Sequence, residues 1–471
     1  MKVCLNKRAS LSGATGLLRK GNGVTRTNVR LFWGFWLALC AIWLALNPGI
    51  FTAPGFFAVR GFFIQWTGML AIAAMSVAMI LSIRPRWMEA RLGGLDKMYR
   101  FHKWLGIGVL GVSVVHWLWS EVPKWAVGAG LMARPEHGPR PEITDPLRAF
   151  LASLRGTAEG LGEWAFYGSV ILLVIALIAI ISYHLFRLTH RVFPVIYLVL
   201  VFHAVVLLDY DMWLAPIGLI VALLLAGGSY SAVVSLSGAI GRGRRVAGRI
   251  ATLHNFQGVS SLESEIRMDA GWPGHKAGQF AFVKSKRWEG AHPYTIASAW
   301  NPDDPKITFI TKELGDHTST LVENLKPGQE VTVEGPYGCF TFDDGLPRQI
   351  WVGAGIGITP FIARLKEMAE AGPDIPQPEI DLFHSTRDVD QGALDRLAAD
   401  AHAANVRLHV LIDERDGFLS AERICETVSQ WRDASIWFCG PSGFGKSLRA
   451  DFANRKMDTD ARFHQELFAM R

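Results

Sequence analysis

The chain has 471 residues, half of them hydrophobic, and carries a formal net charge of +6. This length exceeds what a single core supports, so two or three domains are expected. The five cysteines are scattered without a C-x-x-C pair, which excludes a thiolate set for an iron–sulfur cluster or zinc site and a disulfide framework. The basic residues flank apolar segments and indicate no nucleic-acid partner.

The first thirty residues are basic. They contain seven Lys and Arg residues and no Asp or Glu. No short apolar stretch with a small-residue cleavage site follows, which argues against a cleaved targeting peptide. Residues 1–30 are therefore predicted to be a basic cytoplasmic segment.

Six apolar segments follow between residues 31 and 240, each close to or above the roughly 20 residues that a spanning helix needs. They begin near Leu31, Phe62, Phe101, Trp164, Arg191 and Met212. The basic stretches 84–100 and 241–249 share one side with the N-terminal segment, and this side is predicted to be cytoplasmic. The sequence thus predicts a six-helix bundle in the lipid of a bacterial inner membrane, with both termini in the cytoplasm and a longer loop, 120–162, outside.

Four histidines are spaced along two of these segments. His102 and His116 lie fourteen residues apart on the third segment, and His190 and His203 lie thirteen apart on the fifth. Each spacing corresponds to roughly 20 Å of helix axis, so the four side chains form two pairs at two depths. A lone membrane histidine is often only a packed residue bonded to a carbonyl, but two such pairs suit the axial ligands of two stacked b-type haems.

The fifth segment leaves one ambiguity. Thirteen residues correspond to about 220° of ideal helix rotation, so His190 and His203 would not share a face. Pro194 removes the hydrogen bond to the carbonyl of His190 and predicts a kink there. His184 is the alternative inner ligand, although its distance from His203 matches the third segment less well, and His190 is favoured.

Beyond residue 240 two further patterns appear. Residues 241–346 contain short β-like runs separated by Gly and Pro, which predicts a small antiparallel barrel. Residues 347–471 alternate buried strands with helical runs, which predicts a doubly wound parallel sheet. Its first strand opens into "GAGIGITP", where Gly353, Gly355 and Gly357 let the backbone approach a pyrophosphate at a helix N-terminus.

A second glycine-rich stretch, "GPSGFGKS" at 440–447, satisfies the P-loop pattern for a nucleoside triphosphate. A P-loop enzyme also needs a carboxylate at the end of another strand to complete its Mg²⁺ site. Only 24 residues follow Ser447, and no apolar run among them ends in Asp, whereas "VLID" ending at Asp413 could imitate such a strand. We interpret the match as a coincidence and keep a membrane P-loop ATPase or transporter as an alternative.

Together these residues resemble the ferric reductase and NADPH oxidase superfamily, in which a six-helix haem domain is fused to a ferredoxin-NADP reductase-like module. The resemblance extends from about residue 30 to the C-terminus. It implies that "HPYTIAS" belongs to an FAD site and that "GPYG" closes over the flavin. The implied FAD contacts are His292, Pro293, Tyr294, Thr295, Ser298, Gly335 and Gly338. In this family Tyr294 would lie against the isoalloxazine and Thr295 would bond its edge.

The same resemblance implies contacts to the pyridine nucleotide. It adds Thr359 and Pro360 to the three glycines of the nucleotide loop. Ser385 and Arg387 follow the second strand of the parallel sheet, where a 2′-phosphate would sit. NADPH is therefore favoured as the electron donor, with NADH as the alternative.

The resemblance also implies a hydride-transfer site. Cys439 would border the hydride path at the end of a strand, and Gly440 and Pro441 would turn the chain there. Phe468, in the C-terminal "FHQELF", would cover the flavin where nicotinamide enters.

These observations predict a transmembrane oxidoreductase. Electrons from cytoplasmic NAD(P)H would pass through FAD, then through an inner haem held by His102 and His190 and an outer haem held by His116 and His203. The small-molecule acceptor outside would be O2, giving superoxide, or a ferric chelate. The alternative is a haem and flavin electron donor to a periplasmic partner protein.

Overall fold

Long apolar helices make up the N-terminal half of the chain. The computed structural model describes residues 26–133, 143–178, 183–286, 290–313, 318–372 and 375–466. The helices of this half are α1 (Arg26–Leu46), α2 (Phe56–Ser82), α3 (Arg86–Leu92), α4 (Leu95–Gly128), α5 (Pro146–Ser153), α6 (Arg155–Leu177), α7 (Tyr183–His190), α8 (Phe193–Leu207), α9 (Tyr210–Leu214) and α10 (Pro216–Leu236). Within the described residues, six helical segments are long and apolar enough to cross a membrane, so the predicted six-helix architecture is confirmed.

The fifth span consists of two helices. Helix α7 ends at His190 and α8 begins at Phe193, with Pro194 in its first turn. Proline lacks an N–H and its ring clashes with the preceding turn, so a continuous helix through this point is disfavoured. The interruption is the kink that the sequence predicts, and it removes the requirement that His190 and His203 follow one ideal helical rotation.

Arg60 compensates for a proline inside another span. Because Pro123 lies within α4, the carbonyl of Trp119, four residues earlier, loses its helical donor. The Arg60 Nε donates to this carbonyl at 3.0 Å, and its Nη2 donates to the carbonyl of Ser120 at 2.9 Å. The side chain from α2 thus ties the two helices together and satisfies the backbone of α4.

The core of the membrane unit lies between α2, α8 and α10. Tyr197 is fully buried there, and its hydroxyl hydrogen-bonds to Ser76 at 2.8 Å. Gly228 makes room for this contact, since a Cβ at that position would lie 2.1 Å from the Tyr197 hydroxyl oxygen. A buried polar pair in an apolar core therefore fixes how these three helices pack.

The next part of the chain forms an antiparallel barrel. Its strands are β1 (Arg245–Phe256), β2 (Ser261–Met268), β3 (Phe280–Lys284), β4 (His292–Thr295), β5 (Lys306–Lys312) and β6 (Glu330–Tyr337), with a short helix, α11 (Leu321–Asn324), before β6. In the described part of the chain these strands pair in the order β4-β3-β6-β1-β2-β5. A bridge between Ile296 and Phe309 joins the two edges, which closes the sheet as predicted.

The last part forms a parallel sheet with helices on both faces. Its strands are β7 (Arg348–Ala354), β8 (Glu379–Thr386), β9 (Arg407–Ile412), β10 (Ser435–Cys439) and β11 (Phe463–Gln465). Its helices are α12 (Thr359–Ala371), α13 (Gln391–Ala403), α14 (Asp413–Asp416), α15 (Ala421–Thr427), α16 (Ser442–Asn454) and α17 (Thr459–Arg462). Among the described residues the strand order is β11-β10-β7-β8-β9, with all neighbours parallel. Trp351 and Val352 point into different buried clusters, so the predicted doubly wound sheet is confirmed.

Candidate functional site

The four membrane histidines come together in two pairs. The ring centroids of His102 and His190 lie 6.1 Å apart, and those of His116 and His203 lie 6.4 Å apart. Two imidazoles that face each other across one metal ion, each with a metal–nitrogen bond of about 2 Å, place their ring centroids about 6 Å apart. Both pairs therefore have the separation that a shared metal ion requires.

Backbone carbonyls orient three of the four rings. Nδ1 hydrogen-bonds to the carbonyl of Ala78 in His102 (3.0 Å), of Ile64 in His116 (3.1 Å) and of Ala158 in His203 (2.8 Å). A carbonyl can only accept, so Nδ1 carries the proton in each of these rings and Nε2 is unprotonated and could bind a metal ion.

His190 is held differently. No partner for its Nδ1 exists within the described residues. Instead the ring packs between Phe186 and Phe193, with centroids 5.1 and 5.0 Å away. The aromatic rings on either side limit the orientation of His190 without selecting a tautomer.

A single apolar cavity of about 740 Å³ connects the two pairs. All four histidines line it, together with aliphatic side chains of α2, α4, α6 and α8. It is also lined by charged side chains of the same helices, such as Arg60, Glu121 and Glu163. Glycines bring the neighbouring helices close to the outer pair: a Cβ at Gly68 would lie 3.0 Å from His116, and one at Gly162 would lie 2.0 Å from His203. The facing rings, the free Nε2 atoms and the apolar walls fit two bis-histidine haems.

His184, the alternative inner ligand, has a side chain outside the described residues. The residue lies at the start of α7, and among the described side chains His190 is the one opposite His102.

Among the described residues, no group of three or more His, Cys, Asp or Glu side chains could hold a metal ion. A haem, whose porphyrin supplies the other four ligands, needs only a histidine pair.

The predicted flavin residues of "HPYTIAS" lie on β4 and the chain that follows it. Thr295 is buried, whereas His292 and Tyr294 are half-buried and Pro293 is exposed. The Tyr294 ring packs against Phe309 with centroids 6.1 Å apart.

Ser298 is engaged within the barrel. Its hydroxyl accepts the Thr308 N–H at 3.1 Å, and its carbonyl pairs with the Nε2 of His275 at 3.0 Å. Burial lowers the pKa of His275, so this ring stays neutral near pH 7. The segment after β4 is thus held by the Ser298 hydroxyl and by His275, a side chain that the sequence did not single out.

Both glycines of "GPYG" occupy positions where a side chain is unfavourable. A Cβ at Gly335 would meet Ala281 at 3.1 Å, and Gly338 has φ of +104°. The Gly338 carbonyl accepts a hydrogen bond from the Gln279 side chain at 3.3 Å. This turn therefore packs directly on β3, beside the strand pair that carries Thr295.

The nucleotide loop packs against the end of β10. Cys439 pairs with Gly353 in the sheet register. A Cβ at Gly357 would lie 2.2 Å from the Cys439 carbonyl oxygen, and one at Gly440 would lie 2.7 Å from Ala354. The structure thus brings both predicted glycine segments to the carboxyl edge of the sheet, where doubly wound folds bind ligands.

The remaining nucleotide residues divide into buried and exposed groups. Thr359 and Pro360 are buried in the first turn of α12, so only the backbone there is available to a pyrophosphate. The Ser385 hydroxyl donates to the Asp413 carboxylate at 3.2 Å. Arg387 is exposed and forms no ion pair within the described residues.

Cys439 has an acidic neighbour that the sequence reasoning missed. Its side chain is fully buried, and this burial, with the charge of Glu466, raises the pKa of the thiol well above its ordinary value. The thiol is therefore neutral at physiological pH. Glu466 lies in the same "FHQELF" stretch as Phe468, and a search of that stretch for ionisable groups would have found it. Phe468 itself lies outside the described residues.

The P-loop pattern does not form a phosphate cradle. Strand β10 ends at Cys439 and α16 begins at Ser442, so only Gly440 and Pro441 separate them. Lys446 and Ser447 are exposed positions inside α16. A phosphate cradle needs a loop of backbone N–H groups between strand and helix. This stretch therefore does not form the triphosphate site that the ATPase alternative requires.

Two family models match the chain. The model described as ferric reductase like transmembrane component matches residues 67–201, and the model of an FAD-binding domain matches residues 259–341. The first covers three of the four paired histidines, all but His203, and the second covers the "HPYTIAS" and "GPYG" segments.

Several characterised proteins are similar to part of the chain. An NADPH oxidoreductase of Mycobacterium tuberculosis is 30% identical over 42% of this chain and 52% of its own length, and a flavohemoprotein of Deinococcus radiodurans is 25% identical over 41% and 51%. Ferric reduction oxidase 4 of Arabidopsis thaliana is 30% identical over 26% of this chain and 20% of its own length. The chain spans about half the length, or less, of these relatives.

Solved structures of soluble reductases are also similar to part of the chain. Phthalate dioxygenase reductase aligns with a TM-score of 0.40 and 18% identity, covering 47% of this chain and 67% of that one. The FAD/NAD binding domain of nitric oxide dioxygenase from Vibrio cholerae aligns with a TM-score of 0.41 and 17% identity, covering 47% and 98%.

Proposed function

The chain joins a ferric reductase-like transmembrane domain to an FAD-binding domain, as in fusions of the ferric reductase and NADPH oxidase type, and we propose that it carries electrons from cytoplasmic NAD(P)H across the membrane. The proposed cofactors are FAD and two b-type haems. The proposed acceptor outside is a ferric chelate or O2. The match to an Arabidopsis protein named for ferric reduction supports a ferric acceptor.

The two facing histidine pairs carry this proposal. The pairs His102–His190 and His116–His203 line one cavity between the membrane spans. A protein that only bound flavin and nucleotide would have no use for four inward-facing imidazoles in a membrane, where polar groups are costly. Their spacing along α4, roughly 21 Å, provides a relay between the two sides.

The residues of the chain bind and orient the redox groups. Hydride acceptance and single-electron transfer are supplied by FAD and the haems when they are bound. In the membrane, the four imidazoles would hold the haems, three of them oriented by backbone carbonyls, and the mostly apolar walls would limit access of water. In the cytoplasmic module, the buried thiol of Cys439 stays neutral and adds no second negative charge beside Glu466, since a thiolate there would disfavour an approaching hydride.

Haem stoichiometry tests the membrane part. Purified wild-type protein is expected to show two b-type haems per chain in a pyridine haemochrome assay. His116→Ala is expected to retain one, since the inner pair is untouched. His184→Ala is the matched control and is expected to retain two. Two haems in the His116→Ala protein would refute the assignment, and loss of one haem in the His184→Ala protein would move the inner ligand to His184.

Sidedness tests the direction of transfer. Proteoliposomes that expose the FAD module would receive NADPH outside, with an impermeant ferric chelate and a ferrous indicator trapped inside. Ferrous iron is expected to appear in the lumen without oxygen. If NADPH oxidation requires the acceptor on the same side as NADPH, transmembrane transfer is wrong. Superoxide formation in air with no ferric reduction would make O2 the acceptor.

A further inference from the structure

The loop that follows β8 carries Arg387 and contacts the FAD-binding barrel through Asp388 and Asp390. We infer that Lys312, at the end of β5, is a positioning residue for pyridine-nucleotide selectivity: by pairing with Asp388 it leaves Arg387 free to bind a 2′-phosphate. A residue of the barrel would then determine the preference for NADPH over NADH. This inference rests on the proposed nucleotide site.

Lys312 and Asp388 form a close ion pair between two parts of the fold. Lys312 Nζ lies 2.5 Å from an oxygen of Asp388, and the Lys312 side chain is only 20% exposed. The hydroxyl of Thr386 donates to the Asp388 backbone carbonyl at 2.8 Å, which holds the residue from the strand side. Asp388 is therefore held through its side chain, which is 44% exposed, and through its backbone carbonyl.

A second carboxylate holds the other end of the same loop. One oxygen of Asp390 accepts the Gly258 N–H from the barrel at 3.1 Å, while the other caps α13 by accepting the Ala393 N–H at 3.1 Å. The approach is close, since a Cβ at Gly258 would lie 2.4 Å from the Val389 carbonyl oxygen. The short loop between β8 and α13 is thus held to the barrel at both Asp388 and Asp390.

Charge explains why this matters for Arg387. Arg387 is exposed and has no ion-pair partner among the described residues, although the Asp388 carboxylate is its chain neighbour. Lys312 already pairs with one oxygen of that carboxylate and balances its charge. Without Lys312, Asp388 would compete with a 2′-phosphate for the guanidinium, and a bidentate arginine–phosphate contact would be weakened. NADH has no 2′-phosphate, so its binding would not change.

Nucleotide affinity of the full-length protein in detergent tests this inference. NADP⁺ and NAD⁺ would be titrated by isothermal calorimetry, so that the readout does not depend on electron transfer. Lys312→Met is expected to weaken NADP⁺ binding about tenfold and to leave NAD⁺ within about twofold. Lys312→Arg, which keeps the charge, is expected to bind NADP⁺ as the wild type does.

Two further variants complete the test. Adding Asp388→Asn to Lys312→Met removes the competing carboxylate and is expected to restore most of the NADP⁺ affinity. Lys306→Met is the control, because Lys306 lies on the same strand and pairs with Asp304 and Glu265 instead.

The outcomes separate this inference from the proposed site. Equal losses for both nucleotides in Lys312→Met, or no loss for either, would overturn the role of Lys312. Unchanged NADP⁺ affinity in Arg387→Ala would overturn the proposed 2′-phosphate site, and the inference with it. A loss in Arg387→Ala but none in Lys312→Met would leave the site standing and refute only the positioning pair.

Discussion

The close contact between α6 and His203 makes Gly162→Ala a sharp test of the outer histidine pair. A Cβ at Gly162 would lie 2.0 Å from Nδ1 of His203, 2.4 Å from Cε1 and 2.7 Å from Cγ. The same Nδ1 hydrogen-bonds to the Ala158 carbonyl at 2.8 Å. The added methyl therefore forces the ring, or the helix that orients it, to move by roughly 1 Å or more.

Such a movement is large compared with what a metal ligand tolerates. Metal–ligand distances in well-formed sites vary by only about 0.2 Å. Gly162→Ala is therefore expected to lose the outer haem and keep the inner one, giving one haem per chain and a simpler redox titration. Transfer to an acceptor outside is expected to fall by at least about tenfold.

The control is a glycine of the same helix. A Cβ at Gly160 meets nothing within 4 Å, so Gly160→Ala is expected to keep two haems and full transfer. Pyridine haemochrome and reduced-minus-oxidised spectra of both purified variants provide the measurement. Two haems with an unaltered spectrum in Gly162→Ala would show that His203 does not hold a haem in this geometry.

Three other predictions concern the parallel sheet. Gly357→Ala places a Cβ 2.2 Å from a backbone carbonyl of β10, so it should lower the free energy of unfolding by about 1–3 kcal/mol and weaken NADP⁺ binding. Gly443→Ala has open space around it and should change neither quantity, as measured by scanning and titration calorimetry. Burial lowers the pKa of His384, so its contribution to stability is present above about pH 6.5 and lost as pH falls; thermal unfolding of His384→Asn should depend less on pH between 7.5 and 5.5 than that of the wild type. Asp413→Asn removes a charge 3.2 Å from the Ser385 hydroxyl and should raise the affinity for NADP⁺ relative to NAD⁺ about three- to tenfold in titrations; an unchanged ratio would place the 2′-phosphate elsewhere.

Local chemistry made the membrane architecture predictable. Apolar runs of spanning length identify all six segments, because a bilayer imposes that length on any helix. Pro194 predicts the interruption after His190 for an equally local reason, the missing N–H. Depth along the spans and this kink together favour His190 over His184 as the residue opposite His102.

Contacts made by distant parts of the chain could not be predicted. The carbonyl partners of the histidines, such as Ala78 and Ala158, are apolar residues whose side chains give no sign of the role of their backbones. Gly162 looks like any other glycine of α6 until His203 is placed against it. Lys312 and Asp388 are 76 residues apart and appear as ordinary surface charges in the sequence.

The "GPSGFGKS" stretch matches a sequence pattern without forming the structure that the pattern usually indicates. Its letters meet the P-loop requirement, and it even follows a strand and enters a helix. What a phosphate cradle needs, however, is chain length between the two elements, and α16 begins only two residues after Gly440. Gly445, which would shape the cradle, is instead buried against Phe438, where a Cβ would lie 2.6 Å from the ring. Gly445 thus serves the close packing of α16 on the sheet, and the short turn before α16 places Gly440 against the nucleotide loop.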